Sequence, residues 1–207
     1  MGRRHPRPTA SVFNAGLNDR LGRSRQCQDQ APRTFLASFD DRFLMLFQSA
    51  LLVAAVLCAL VAGFLFAFAA VVMPGLRSLD DPSFIRSFQV VDRVVQNNQP
   101  LFGLVWVGSV LAVVVAAVIG VWALSGVDRL LMIVGALVYL LGVQLPTVVV
   151  NLPLNNQLQS LDVVSLSETP LRHAREAFEP RWNRWNVIRT ACACLATVLL
   201  LLLLLRL

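Results

Sequence analysis

The stretch LMLFQSALLVAAVLCALVAGFLFAFAAVVM, residues 44–73, carries no charged side chain in 30 positions and is closed by Pro74-Gly75. About 20 largely apolar residues suffice to cross the ~30 Å hydrocarbon core of a bilayer as a helix, because each residue advances it by about 1.5 Å. Three later stretches pass the same test. They run over roughly 101–124, over roughly 130–150 with Gln144 and Pro146 as interruptions, and over roughly 187–206, which ends in an unbroken leucine run from Leu199 to Leu205. The predicted fold is all-α: a four-transmembrane-helix bundle with two helical extramembrane loops packed on one end. Composition agrees, since 57% of the 207 residues are hydrophobic and only 14% charged. An ordinary soluble domain is about a quarter charged, so this chain has too few polar side chains to cover a globule in water.

The net charge of +6 comes entirely from arginine, with 18 arginines and no lysine. Eight of them (Arg3, Arg4, Arg7, Arg20, Arg23, Arg25, Arg33 and Arg42) precede the first apolar stretch. Residues 1–42 therefore read as a disordered, Arg-rich cytoplasmic tail, and 43–207 as the membrane domain. The tail lacks the apolar core of a signal peptide, and Arg3-Arg4 lacks the apolar region that a twin-arginine signal needs. With the basic surplus in the tail, membrane lipid is the expected partner and nucleic acid is not. An even number of spans puts both termini on one side. Ten arginines fall on that side and eight on the other, so the positive-inside rule places both termini in the cytoplasm of a bacterial plasma membrane.

The connections divide unequally. Ser125-Gly126-Val127-Asp128-Arg129 is a minimal turn that makes spans two and three a tight hairpin. The other two connections are long and share the opposite membrane face. In the first, Asp81 at the N-cap and Pro82 at N1 start a helix. Phe84, Phe88, Val91 and Val95 form its apolar stripe, and Gln89, Asp92, Arg93 and Gln96 lie on its flank and back. The second long connection begins at the exit of span three with Asn151-Leu152-Pro153-Leu154-Asn155-Asn156, read as a turn. Thr169-Pro170 opens a short helix through Phe178, and Glu179-Pro180 restarts the chain towards span four. There Trp182, Trp185, Asn186 and Arg189 share one helical stripe. Tryptophans at a membrane boundary form aromatic belts and an arginine there can snorkel to headgroups. An arginine held near lipid depth and aligned with an asparagine is instead a functional-site candidate.

Topology alone brings the end of span one, the Gln89–Gln96 face, the asparagine turn and the Trp182–Arg189 stripe to one membrane surface. A polar pocket between helices is expected there. Other chemistry is poorly supported. The two histidines, His5 and His173, cannot supply a bis-histidine haem or a His-rich metal site. Cys27, Cys58, Cys192 and Cys194 form no Cys-x-x-Cys pair, and the last three read as small packing residues in helices. Arg172, His173, Arg175 and Glu176 read as a solvated helix face.

Several motifs in order carry a resemblance: Gly63-Phe64-Leu65-Phe66-Ala67-Phe68, Val72-Met73-Pro74-Gly75-Leu76, Phe88-Gln89 with Asp92, Asn97-Asn98-Gln99-Pro100-Leu101-Phe102, the Asn151–Asn156 run, and Trp182-Asn183-Arg184-Trp185-Asn186-Val187-Ile188-Arg189-Thr190. Over roughly residues 44–207 the chain resembles the anthrone oxygenase-like family of small integral membrane proteins. The resemblance implies that fungal members convert anthrones to anthraquinones with molecular oxygen and no known cofactor, whereas most bacterial members are a domain of unknown function. Many relatives have a histidine where this chain has Val187, so a base at that position is not available here.

The leading expectation is a cofactor-free monooxygenase acting on a flat, lipophilic phenolic or ketonic small molecule that arrives from the bilayer. Arg189 would stabilise a substrate enolate and Asp92 would accept a proton. Gln89, Asn151, Asn155 and Asn186 would orient substrate oxygens, while Trp182 and Trp185 supply flat walls. The alternative is a non-catalytic membrane module that binds a lipid or quinone or serves as a subunit of a larger complex, with the same residues acting as a structural clasp. A transporter ranks third, because four spans without an internal repeat offer little for alternating access. A cavity of about 300 Å³ or more would favour ligand binding over a self-filled cap.

Overall fold

The computed structural model describes residues 42–97 and 99–207. The Arg-rich tail with His5 and Cys27 lies outside the described residues, as does Asn98 of the resemblance motif. The chain divides into units Met1–Leu46 and Phe47–Leu207, and the packing described below is that of the second. Five helices account for the architecture: α1 (Arg42–Arg77), α2 (Asp81–Gln96), α3 (Pro100–Ala123), α4 (Gly126–Gln159) and α5 (Glu168–Arg206). All except α2 are long and apolar enough to span a membrane, and no strand occurs among the described residues. The protein is an integral membrane protein.

The helices that end in long connections overshoot the spans read from hydropathy. α4 does not stop at Val150. It runs on to Gln159, so Asn151–Asn156 is helical and not a turn. The chain tolerates Pro146 and Pro153 inside α4 because each follows a widened π-turn. Leu145 N–H donates to Leu140 O and Leu152 N–H to Thr147 O, each five residues back and each immediately before a proline. Pro74 in α1 is preceded in the same way by Met73 N–H bonding Phe68 O. A proline lacks the N–H for the ordinary bond and its ring crowds the carbonyl four residues back, and the wider turn moves that carbonyl aside.

α5 likewise replaces the expected short helix and restart with one continuous helix of 39 residues that contains Pro180. Pro180 lies on the exposed side, between buried Phe178 and Trp182, where the carbonyl it leaves unpaired can face solvent. α2 starts one residue earlier than expected. Asp80 is the N-cap, its carboxylate accepting from Ser83 N–H at 3.2 Å, and Pro82 sits at the second helical position.

Two core layers result. Mid-bundle, Leu51, Ala54, Cys58, Met132, Tyr139, Ala193, Ala196 and Leu200 are buried together. Along α5 the buried positions Phe178, Trp182, Asn186, Arg189, Ala193, Ala196, Leu200 and Leu203 step by three or four residues, the seam of closely aligned helices. Small residues bring backbones close. A Cβ on Gly142 of α4 would lie 2.7 Å from Cys192 Sγ on α5. Cys58 and Cys192 thus pack in helices as expected, whereas Cys194 is exposed. At the end of the bundle remote from the 124–125 turn, Met73, Phe84, Ile85, Phe88, Leu154, Leu158 and Phe178 form the second layer. It seats α2 on the bundle.

Candidate functional site

α2 is held down by an arginine clasp. Arg175 of α5 donates from Nη1 to Leu79 O and Asp81 Oδ1, from Nη2 to Arg77 O and from Nε to Glu179 Oε2, all between 2.8 and 3.0 Å. Arg77 donates to the other Glu179 oxygen at 2.9 Å, and the Arg175 guanidinium lies 4.3 Å from the Phe84 ring centroid. The reading of Arg175 as part of a solvated face is therefore corrected, since its surroundings are ionic and aromatic. Arg172, His173 and Glu176 do stay exposed.

The clasp fixes the rotation of α2, which differs from the expected one. Its buried face is Phe84, Ile85, Phe88, Gln89 and Asp92, while Val91 is 37% exposed. Gln89 and Asp92 turn inward because α4 continues far enough to meet them. Gln89 Nε2 donates to Leu158 O and Leu161 O at 2.8 and 2.9 Å, and Gln159 Nε2 donates to Gln89 O at 2.9 Å. Asp92 accepts from Asn155 Nδ2 at 2.8 Å, Gln96 Nε2 at 2.6 Å and Gln159 Nε2 at 2.9 Å. Trp182 Nε1 in turn donates to Asn155 Oδ1 at 2.7 Å, so α2, α4 and α5 are joined through one amide.

Beneath this network lies a cavity of about 260 Å³, a little under the size set above for ligand sites. Its apolar wall is mostly aromatic, with Phe64 and Phe68 from α1, Phe88 from α2, Phe102 and Trp106 from α3, and Trp182 from α5. The rings pack edge-to-face or tilted, except for the stacked pair Phe102 and Trp106 at 5.3 Å. Asp92, Gln96, Thr147, Asn151, Asn155, Asn186 and Arg189 supply its polar groups. Six of the eight site residues expected from sequence therefore line one space. The other two do not. Gln89 is spent on the end of α4, and Trp185 packs half-buried outside the cavity.

Arg189 does not snorkel. It is 4% exposed, with Nη1 donating to Thr147 Oγ1 and Nη2 to Asn186 Oδ1, both at 3.0 Å. Asn186 is itself anchored by donating to Leu65 O at 3.0 Å, and Thr147 donates to Val143 O at 2.6 Å. Both partners of the guanidinium are neutral, and no carboxylate lies within 4.0 Å of it among the described residues. Arg189 Nε and Asn151 Oδ1 are buried without a hydrogen-bond partner. Arg189 and Asn151 both line the cavity, so it holds a guanidinium fixed in place by two neutral partners. Buried polar atoms normally find partners, and Arg189 Nε and Asn151 Oδ1 find none among the described residues. Among the described residues no cluster of His, Cys, Asp and Glu could hold a metal ion.

Sequence reasoning missed Thr147 and the aromatic wall from α1 and α3. Thr147 had a usable signal, being a hydroxyl one residue after a proline in an apolar span. Phe64 and Phe102 stood in the motifs that carry the resemblance, whereas Trp106 had no signal, because it looks like any lipid-facing aromatic residue.

Fold and site define a four-span helical membrane protein with an arginine-bearing aromatic cavity at one end of its bundle. A family model described as Anthrone oxygenase matches residues 92–199, and the chain belongs to that family. The matched segment includes Asp92, Trp106, Thr147, Asn151, Asn155, Trp182, Asn186 and Arg189, and leaves out the α1 wall and Gln89. No curated protein and no solved structure matches the chain.

Proposed function

We propose that the protein binds a flat, lipophilic phenolic or ketonic molecule in the aromatic cavity and oxygenates it at an activated methylene. The observation that carries this reading is the buried Arg189, whose hydrogen-bond partners among the described residues are the neutral Thr147 and Asn186. A cation kept from carboxylates in an aromatic enclosure is suited to an anion that forms in place. In the proposed reaction a methylene C–H bond breaks and its proton passes to Asp92, which keeps one acceptor position after its three amide bonds. The enolate oxygen is held by the Arg189 guanidinium, and one electron passes from the enolate to dioxygen. The radical pair joins as a C–O bond, and the resulting hydroperoxide loses water to leave a new carbonyl. One oxygen atom stays in the product and the other leaves as water with the two hydrogens of the methylene. Asn151 and Asn155 orient substrate oxygens, and Trp182 supplies a flat wall.

Purified protein in lipid nanodiscs should consume dioxygen with anthrone above the spontaneous rate, and Arg189→Ala should lower turnover by about 10²–10³-fold, the usual loss on removing an oxyanion donor. No uptake above background, or full activity in Arg189→Ala, refutes the reading. The three amide bonds to Asp92 favour a second reading, in which Asp92 is a clasp and the cavity binds a lipid or quinone without turnover. Saturable anthrone binding with no oxygen uptake would select it. On the arginine distribution, both termini are assigned to the cytoplasm and the cavity to the outer leaflet.

A further inference from the structure

We propose that the cavity is reached sideways from the hydrocarbon of the bilayer, through a mouth between α3 and α4 framed by Phe102 and Trp106 on one side and Val148 and Leu152 on the other. The proposal rests on the cavity being a small-molecule site. Its walls are unequal. The lining residues of α5 are all buried, and so are Leu65 and Phe68 of α1. On α4, in contrast, Val148 is 60% and Leu152 43% exposed, and across from them Phe102 and Trp106 are half-buried. The opening therefore lies where α3 faces α4.

The helices are arranged to leave it open. α3 and α4 pack together along Gly126–Tyr139, next to their tight turn, and diverge beyond it. Divergence begins where α4 passes through its π-turns at Leu140–Gln144 and Thr147–Asn151. The surface flanking the mouth is apolar, with Leu104 and Leu145 68% and 50% exposed, so it meets acyl chains rather than water. On the α2 side exposed Gln96 also lines the cavity, but the lining there is cross-linked by hydrogen bonds, from Gln96 to Asp92 and Asn156, from Asn155 and Gln159 to Asp92, and from Trp182 to Asn155. A molecule coming from water would have to break that network, whereas one dissolved in lipid meets only two pairs of side chains.

The test has two arms, both with the full chain in nanodiscs. In the first, lipids brominated along their acyl chains act as contact quenchers of tryptophan fluorescence, in a background carrying Trp122→Phe and Trp185→Phe, which removes the exposed and half-buried indoles elsewhere and leaves Trp106 and the buried Trp182. The expected result is quenching that disappears with Trp106→Phe and falls when Val148→Phe and Leu152→Phe together fill the mouth. Quenching that is indifferent to both changes overturns the lateral mouth, whatever the ligand. In the second, anthrone is mixed with protein and the rate of its binding followed. The double Phe variant should slow binding by about tenfold; an unchanged rate overturns the proposal. If the unmodified protein binds no anthrone, the functional reading fails and the first arm alone decides the mouth.

Discussion

Thr147 is the residue on which the guanidinium geometry turns. It accepts from Arg189 and donates to Val143 O, so it holds the charge in place without neutralising it. Thr147→Val keeps the shape and removes the hydroxyl. Hydrogen bonds to charged groups are worth about 1.5–3 kcal/mol, so kcat/KM for anthrone should fall at least about tenfold; an unchanged value would show that Asn186 alone positions the guanidinium. Asp92→Asn separates its two assigned roles. If Asp92 takes the substrate proton, turnover collapses while anthrone still binds, whereas a pure clasp would lose binding and turnover together. At this scale legibility followed the helix. Trp182, Asn186 and Arg189 could be aligned from sequence because a single helix carries them at fixed spacing. Gln89 and Asp92 could be named but not oriented, because what turns them inward is the far end of α4, which hydropathy ended at Val150.

At the scale of elements, α2 is an amphipathic helix whose seating depends on Arg175. Removing that side chain leaves Asp81 without its partner and Glu179 with Arg77 alone. Arg175→Ala should therefore loosen α2 selectively, with amide hydrogen exchange across residues 84–96 faster by about tenfold or more while the mid-bundle segments of α4 and α5 keep their protection. A uniform increase would instead mean that the clasp supports the whole bundle. The clasp escaped the sequence reading because two of the four acceptors of Arg175 are backbone carbonyls distant in sequence, Arg77 O and Leu79 O, which no side-chain pattern reveals. The Arg175 and Glu179 spacing of four residues was its one local trace. Element ends were misjudged for a related reason: proline ended helices in the reading, but in the structure π-turns and an exposed helix face absorb it.

For the whole molecule, four spans and a helical cap at one end were legible because lipid imposes the same length on every crossing. Helix contacts were not, because any small residue can face either lipid or a neighbour. Gly142 shows the difference. Alanine there would place a Cβ 2.7 Å from Cys192 Sγ and 2.8 Å from Cys192 Cβ, pushing α4 from α5 just below the cavity. Gly142→Ala should destabilise the protein by about 1–3 kcal/mol, as overpacking does, seen as a lower thermal midpoint in detergent. Cys192→Gly in the same chain should recover part of the loss, and failure to do so would place the close approach elsewhere.

The π-turns of α4 also set the phase of everything beyond them. A helix advances about 100° per residue, and each widened turn accommodates a residue that an ordinary helix would have to rotate past. Asn151 and Asn155 reach the cavity, and Gln159 reaches Asp92, only at that accumulated angle. Deleting one residue from Leu140–Gln144 would leave hydropathy and span length almost untouched, yet swing this polar column about 100° out of the site. In this protein, a single-codon deletion in a segment whose one polar side chain is Gln144 should be as damaging to the proposed ligand binding as losing the polar residues themselves.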